Sequence, residues 1–223
     1  MHILLAGDNR AELKKSVKAD MLRMRTSAKT IAKIIGMKSK VKLVFAKKLT
    51  PDTILRLISS AKVRRNDIFL FYFTGHGNRA QSDSEWPAMY FSKPKIHLDL
   101  EQVISRINKK HPRLSLIICD SCNRSSSNAR SFQDELDSTE IPQDYTRDSL
   151  KKLFGYKGTI IACAARPGEK AWSCKHGALF TGIFLTQIVE EISRPSPSWG
   201  HLLSMTKKMC HHVQSPMTKY KIN

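Results

Sequence analysis

Asp67-Ile-Phe-Leu-Phe-Tyr-Phe-Thr-Gly-His-Gly77 decides the fold of this chain. Ile68 to Phe73 run without a polar break, the pattern of a strand covered on both faces. The run stops on Thr74-Gly-His-Gly77, where two glycines leave the backbone bare enough to approach a ligand. A second stretch repeats the plan: the apolar run Leu114-Ser-Leu-Ile-Ile-Cys119 ends on Asp120-Ser-Cys122. Strands buried on both faces belong to parallel sheets, and open α/β sheets gather ligand and reactive groups at the carboxyl ends of their strands.

Working outward, His2–Ala6 predicts a strand and Gly7-Asp-Asn9 a turn. Leu13, Val17, Met21, Met24, Ala28, Ile31 and Ile35 recur at spacings of three and four, marking the buried stripe of a helix. Val41–Phe45 predicts a strand. Thr50-Pro-Asp52 starts a helix, with Thr as N-cap and Pro at the first helical position, and Ile54, Leu57, Ile58 and Ala61 form its buried face. The polar, broken segment Asn78–Pro94 predicts a long loop, and Leu98–Asn108 a helix. Asn123–Ser149 is rich in Ser, Asn, Asp and Gln and predicts a flexible, cleavable connection. Thr159–Ala164 predicts a strand, and Ala178–Ile192 and Ser198–Val213 two closing helices. Strands alternating with helices imply an α/β protein: three layers, a mainly parallel sheet of about six strands, helices on both faces. No linker divides the chain, so residues 1–223 are expected to form a single domain.

The chain has 223 residues, 41% of them hydrophobic, enough to bury a core without staples. Its apolar runs are far shorter than the ~20 residues needed to span a bilayer. The N-terminal residues show no cationic leader and strand-forming sequence begins at once, so neither a signal peptide nor a prodomain is expected. Five cysteines, an odd number, fit free thiols in a reducing compartment, so a cytoplasmic location is expected. The net charge is +19, and thirteen Lys/Arg against two acids lie between Arg10 and Lys48. Because Lys14, Lys15, Lys18, Arg25, Lys29 and Lys33 fall largely on the polar side of the first helix, a solvated basic face outweighs a nucleic-acid or anionic-membrane surface. No zinc finger, aromatic RNA-binding motif or basic zipper accompanies them.

His76 and Cys122 are the candidate reactive pair, since a thiol needs a neighbouring base or cation to become a thiolate. Each also has an ordinary reading: a hydrogen-bonded structural histidine, and a cysteine serving as a small hydrophobe, as Cys119 and Cys163 are read. A redox role for Cys119 and Cys122 fits poorly, because such motifs open a helix after the first Cys and Cys119 still lies in the apolar run. For zinc, the only partner cluster is Cys210-His211-His212, without a second Cys-x-x-Cys.

Tyr72-Phe-Thr-Gly-His76-Gly77 followed by Cys119-Asp-Ser-Cys122 resembles the caspase-like cysteine peptidases, metacaspases and their bacterial relatives in particular. His76 precedes Cys122 by 46 residues, near the ~50 characteristic of caspases. The resemblance extends to Val17-Lys-Ala-Asp20-Met-Leu-Arg-Met24, to Ala164-Ala-Arg-Pro-Gly-Glu169, to Gly177-Ala-Leu-Phe-Thr181 and to Gln214-Ser-Pro216, covering nearly the whole chain.

The resemblance implies a cysteine endopeptidase acting on protein or peptide substrates through an acyl-thioester. Cys122 would be the nucleophile, His76 its imidazole, and the amides of Gly77 and Cys122 the oxyanion hole. Asp120, Asp20 and Thr74 match positions that line the P1 pocket of Arg/Lys-specific relatives, which implies a basic P1 preference. The ordinary alternative has Asp120 capping a turn and Asp20 on a solvated helix face. No cofactor is implied: beyond His76 the next loop offers only Asp83 and Glu85, too few carboxylates for the calcium site of many metacaspases. Asn123-Arg-Ser stands where metacaspases have His-Ser-Gly. Arg124, Arg130 and Arg147 in the Asn123–Ser149 segment would permit self-cleavage. The competing hypothesis is an inactive homologue whose basic face binds acidic partners or nucleic acid.

Overall fold

The computed structural model describes residues 1–8, 13–79, 84–92, 95–123, 147–211 and 213–222. Its first half runs β1 (His2–Gly7), α1 (Lys14–Ile34), β2 (Lys40–Phe45), α2 (Pro51–Ser60), β3 (Ile68–Thr74), β4 (Gly77–Asn78), β5 (Ala88–Phe91), β6 (Ile96–Asp99) and α3 (Leu100–Asn108). The second half runs β7 (Leu114–Asp120), α4 (Arg147–Gly155), β8 (Gly158–Cys163), β9 (Ser173–Cys174), β10 (Gly177–Ala178), α5 (Leu179–Ile192), α6 (Trp199–Cys210) and β11 (Met217–Ile222).

The apolar run of β3 serves two cores at once. Phe69, Phe71 and Phe73 pack on one side with Ile54 and Ile58 of α2 and Val103 and Ile107 of α3. Ile68, Leu70 and Tyr72 pack on the other with α1, α4, α5 and α6. Successive strand residues face opposite ways, so only a run apolar at every position can fill both layers. β1, β7 and β8 divide their residues in the same way. Each fully buried Ile, Leu or Phe contributes about 1.5–3 kcal/mol relative to exposure.

The central sheet has six strands in the order β11-β8-β7-β3-β1-β2. The four pairings among β8, β7, β3, β1 and β2 are parallel, and β11 closes the edge antiparallel to β8. The expected three-layer α/β architecture is the one observed.

Four local expectations are corrected. The segment read as a long loop contains β4 and β5, which with β6 form a small antiparallel sheet whose Met89, Phe91 and Leu98 cover the lower core. Its strands have two to four residues, too short for a period to register. Leu98 is accordingly a strand residue, and the helix begins at Leu100. Residues 147–149, read as the tail of a flexible connection, are the first turn of α4, anchored by buried Leu150, Leu153 and Phe154. β11 was not foreseen because an exposed edge strand carries little apolar pattern. Residues 124–146, with Arg124 and Arg130, lie outside the described residues, as does Asp83.

Candidate active site

β3 and β7 are neighbours in exact step, Thr74 opposite Asp120. Their carboxyl ends therefore deliver the two chemically interesting loops side by side. Gly75 N–H donates to the Asp120 carbonyl at 3.2 Å, tying them together. Gly77 shows how close they come: a Cβ there would lie 2.4 Å from Ser121 Oγ and 2.5 Å from the Cys122 carbonyl oxygen. Only glycine permits that approach.

His76 and Cys122, both half-buried, line one pocket together with Thr74, Gly75, Gly77, Asp120, Ser16, Val17 and Ala171 to Ser173. The pocket measures about 30 Å³, room for about two waters. The His76 ring stands edge-on to Tyr90, centroids 6.4 Å apart, and its carbonyl accepts from Tyr90 N–H at 2.9 Å. The β4–β5 hairpin that the sequence concealed is therefore what seats the histidine. Cys122 Sγ accepts from Ala171 N–H at 3.4 Å and donates to the Ala171 carbonyl at 3.9 Å. Cys119, by contrast, is fully buried in the lower core beside Cys163, so the two sulfurs of Cys119-x-x-Cys122 serve different surroundings. Among the described residues no group of three His, Cys, Asp or Glu could hold a metal ion.

Another wall of the pocket is Ala171 to Ser173, at the end of the segment that begins at Ala164. Gln214, buried, holds it by two bonds: its Oε1 accepts from Trp172 N–H at 2.9 Å and its Nε2 donates to the Ala164 carbonyl at 3.2 Å. Glu169 accepts from Ser215 N–H at 2.9 Å, and Asn123 exchanges backbone bonds with Gly168 and Glu169 at 2.7 and 3.0 Å.

Asp120 and Thr74 line the floor of the pocket, and Asp20 lies behind them, bonded to Thr74 without itself lining the pocket. All three are buried, so Asp20 does not sit on a solvated helix face. Thr74 Oγ1 donates to Asp20 Oδ2 at 3.2 Å, and Asp20 also accepts from Ala178 N–H at 3.0 Å. Asp120 Oδ2 accepts from Thr181 N–H at 2.9 Å and Thr181 Oγ1 at 2.6 Å. Ala178 is the N-cap residue of α5 and has no side chain to cap with. The two carboxylates, from α1 and β7, take over that duty and sit where the helix dipole favours negative charge. Burial nevertheless pushes Asp20 up to about 6, against the lowering pull of Arg23. Burial first, then the charge of Asp20, pushes Asp120 up to about 7.

Sequence comparison supplies the family. A family model described as the caspase domain matches residues 12–222. The chain belongs to the caspase-domain family. Its domain is similar in fold to a Geobacter sulfurreducens protein of known crystal structure, at a TM-score of 0.61 and 14% identity over 98% of this chain and 92% of that one. Caspase-1 from Spodoptera frugiperda matches equally, with a TM-score of 0.61 and 14% identity over 98% of this chain and 85% of the other. No curated protein sequence matches the chain. Members of the caspase-domain family are cysteine peptidases, and this domain is of that kind. No helix among the described residues is long and apolar enough to cross a membrane.

Sequence reasoning missed three contributors: Tyr90 behind the histidine, Ala171 at the sulfur, and Arg23, whose Nη2 lies 2.6 Å from Asp20 Oδ1. For Arg23 a signal existed, since i and i+3 on a helix are neighbours.

Proposed function

We propose that this caspase-domain protein is a cysteine endopeptidase that cuts after arginine or lysine. The observation that carries the reading is the single pocket lined by His76, Gly77, Asp120 and Cys122. In the first step Cys122 Sγ attacks the scissile carbonyl carbon while its proton passes to the His76 imidazole. The C–N bond breaks, the imidazolium returns that proton to the departing amine, and an acyl-thioester remains. Water, deprotonated by His76, then releases the carboxylic acid and regenerates the thiol. The amides of Gly77 and Cys122 serve the oxyanion, donors worth about 3–4 kcal/mol each when preorganised.

Basic P1 selectivity is supported by the Asp120 carboxylate in the pocket lining, with that of Asp20 buried behind it. An ionised pair attracts a guanidinium or ammonium and repels an Asp side chain. A P1 side chain is far larger than two waters, so its entry parts Ser16 and Val17 from the Ala171–Ser173 wall.

Paired arginyl and aspartyl fluorogenic peptides test both levels. Wild type is expected to cleave the arginyl peptide, and Cys122→Ala to lose at least 10³-fold in rate with an unchanged circular dichroism spectrum. A Cys122→Ala protein that keeps cutting removes the thiol from the mechanism. Preferential cleavage after Asp overturns the pocket assignment alone.

A further inference from the structure

Arg23 pairs with Asp20 behind the pocket, and neither residue lines it. Its guanidinium pairs with Asp20 at 2.6 Å, only a fifth of its side chain is exposed, and its Nε is buried without a hydrogen-bond partner. Room for it is made by Gly177: a Cβ there would lie 1.9 Å from Arg23 Nη2 and 2.5 Å from Asp20 Oδ1. The half-buried guanidinium thus occupies a gap that only glycine leaves, against a fully buried carboxylate.

Two carboxylates and one guanidinium leave one net negative charge. We propose that Arg23 is a specificity-determining positioning residue: it keeps Asp20 ionised and leaves the charge of Asp120 to be answered by one cationic P1 side chain. This rests on the basic-P1 reading above. Without Arg23 the repulsion between the two carboxylates is unrelieved, and the pair keeps its shared proton to a higher pH than in wild type. A cationic side chain must then expel that proton before it binds, which weakens binding most at acidic pH.

The groups around the pair come from several elements. They are Arg23 on α1, Tyr72 on β3, Cys119 on β7, Cys163 on β8, Cys210 on α6, and His76 and Cys122 in the pocket. His76 and Cys122 are common to wild type and variants, so the comparison between them isolates Arg23.

The test is the pH dependence of arginyl-peptide cleavage by wild type, Arg23→Gln and Arg23→Lys, with kcat and KM separated. Arg23→Gln is expected to raise KM about tenfold at pH 6.5, to leave kcat within twofold, and to move the acid limb of kcat/KM up by about one pH unit. Arg23→Lys restores the wild-type limb. A loss equal at every pH, or one carried by kcat, marks a structural role and overturns the proposal. Should Arg23→Gln fail to fold, Arg23→Met keeps the aliphatic stem and is expected to show the same shift. Wild type that leaves the arginyl peptide intact overturns the pocket reading and this proposal with it; cleavage by wild type with an unmoved limb in the variant overturns this proposal alone.

Discussion

Asp120 accepts both the backbone N–H and the hydroxyl of Thr181, at 2.9 and 2.6 Å, across 61 residues of sequence. Tyr72 OH lies 2.8 Å from the same Thr181 Oγ1, extending the chain of hydrogen bonds into β3. One carboxylate thus caps α5, anchors a core tyrosine and lines the pocket, and structure and specificity bear on the same atoms.

That overlap predicts a trade between stability and function. Asp120 rises from 3.8 to about 7 on folding. Its contribution to stability is therefore fully present below about pH 4, where folded and unfolded chains both hold the proton. It is lost as pH climbs to about 7, because the unfolded chain ionises first. Asp120→Asn removes that loss while its carbonyl still accepts from Thr181. We expect the variant to gain on wild type between pH 5 and pH 8, by on the order of 1 kcal/mol at pH 8, while losing arginyl-peptide cleavage. Urea unfolding at both pH values checks this, and a variant relatively weaker at pH 8 contradicts it.

Gly77→Ala drives a methyl group into Ser121 and the Cys122 carbonyl, so the two loops must part. A misplacement of about 1 Å in a reacting group costs on the order of 10²-fold, and kcat/KM is expected to fall at least that far. Overpacking should cost about 1–3 kcal/mol of stability. Gly155→Ala, with open space around its Cβ, is the matched control and should leave cleavage unchanged. Equal activity in the two variants would show that the loops need no close approach.

Gln214→Ala leaves Trp172 N–H and the Ala164 carbonyl without their side-chain partner. Losing both bonds of this buried amide is expected to cost about 1–3 kcal/mol, which thermal unfolding should register. The same change frees the wall that supplies Ala171 N–H to Cys122, so a rise in KM is expected beside the drop in Tm. An unchanged KM would separate the wall from substrate binding.

Thiol alkylation should sort the five free cysteines by position. Cys122 and Cys174 are half-buried and should label within minutes in the native protein. Cys119, Cys163 and Cys210 are buried; burial pushes Cys210 up to about 12 and Cys163 well above the ordinary thiol range. These three should label only on unfolding, as peptide mass spectrometry will show. Native labelling of Cys119 at the rate of Cys122 would place both sulfurs in solvent.

The central strands were legible because burial on both faces demands an apolar residue at every position, and Ile68–Phe73 cannot be read otherwise. Thr50 was legible as an N-cap because capping is local, its side chain accepting from Thr53 N–H three residues on at 3.1 Å. The small sheet holding Tyr90 was illegible for the opposite reason: its stability comes from covering Trp86 and Phe91 against a core built elsewhere.

From the amino acids alone came the parallel sheet, its two layers, and the two strand ends bearing His76 and Cys122, all consequences of contiguous patterns. Folding alone decided that α5, begun by an alanine that cannot cap, would take its acceptors from Asp20 and Asp120, the first of them 158 residues away. Folding likewise set Arg23 beside that pair and cleared the space at Gly177. Such placements follow from the summed packing of whole elements, and a backbone N–H left without a neighbour's acceptor records no preference in its own sequence.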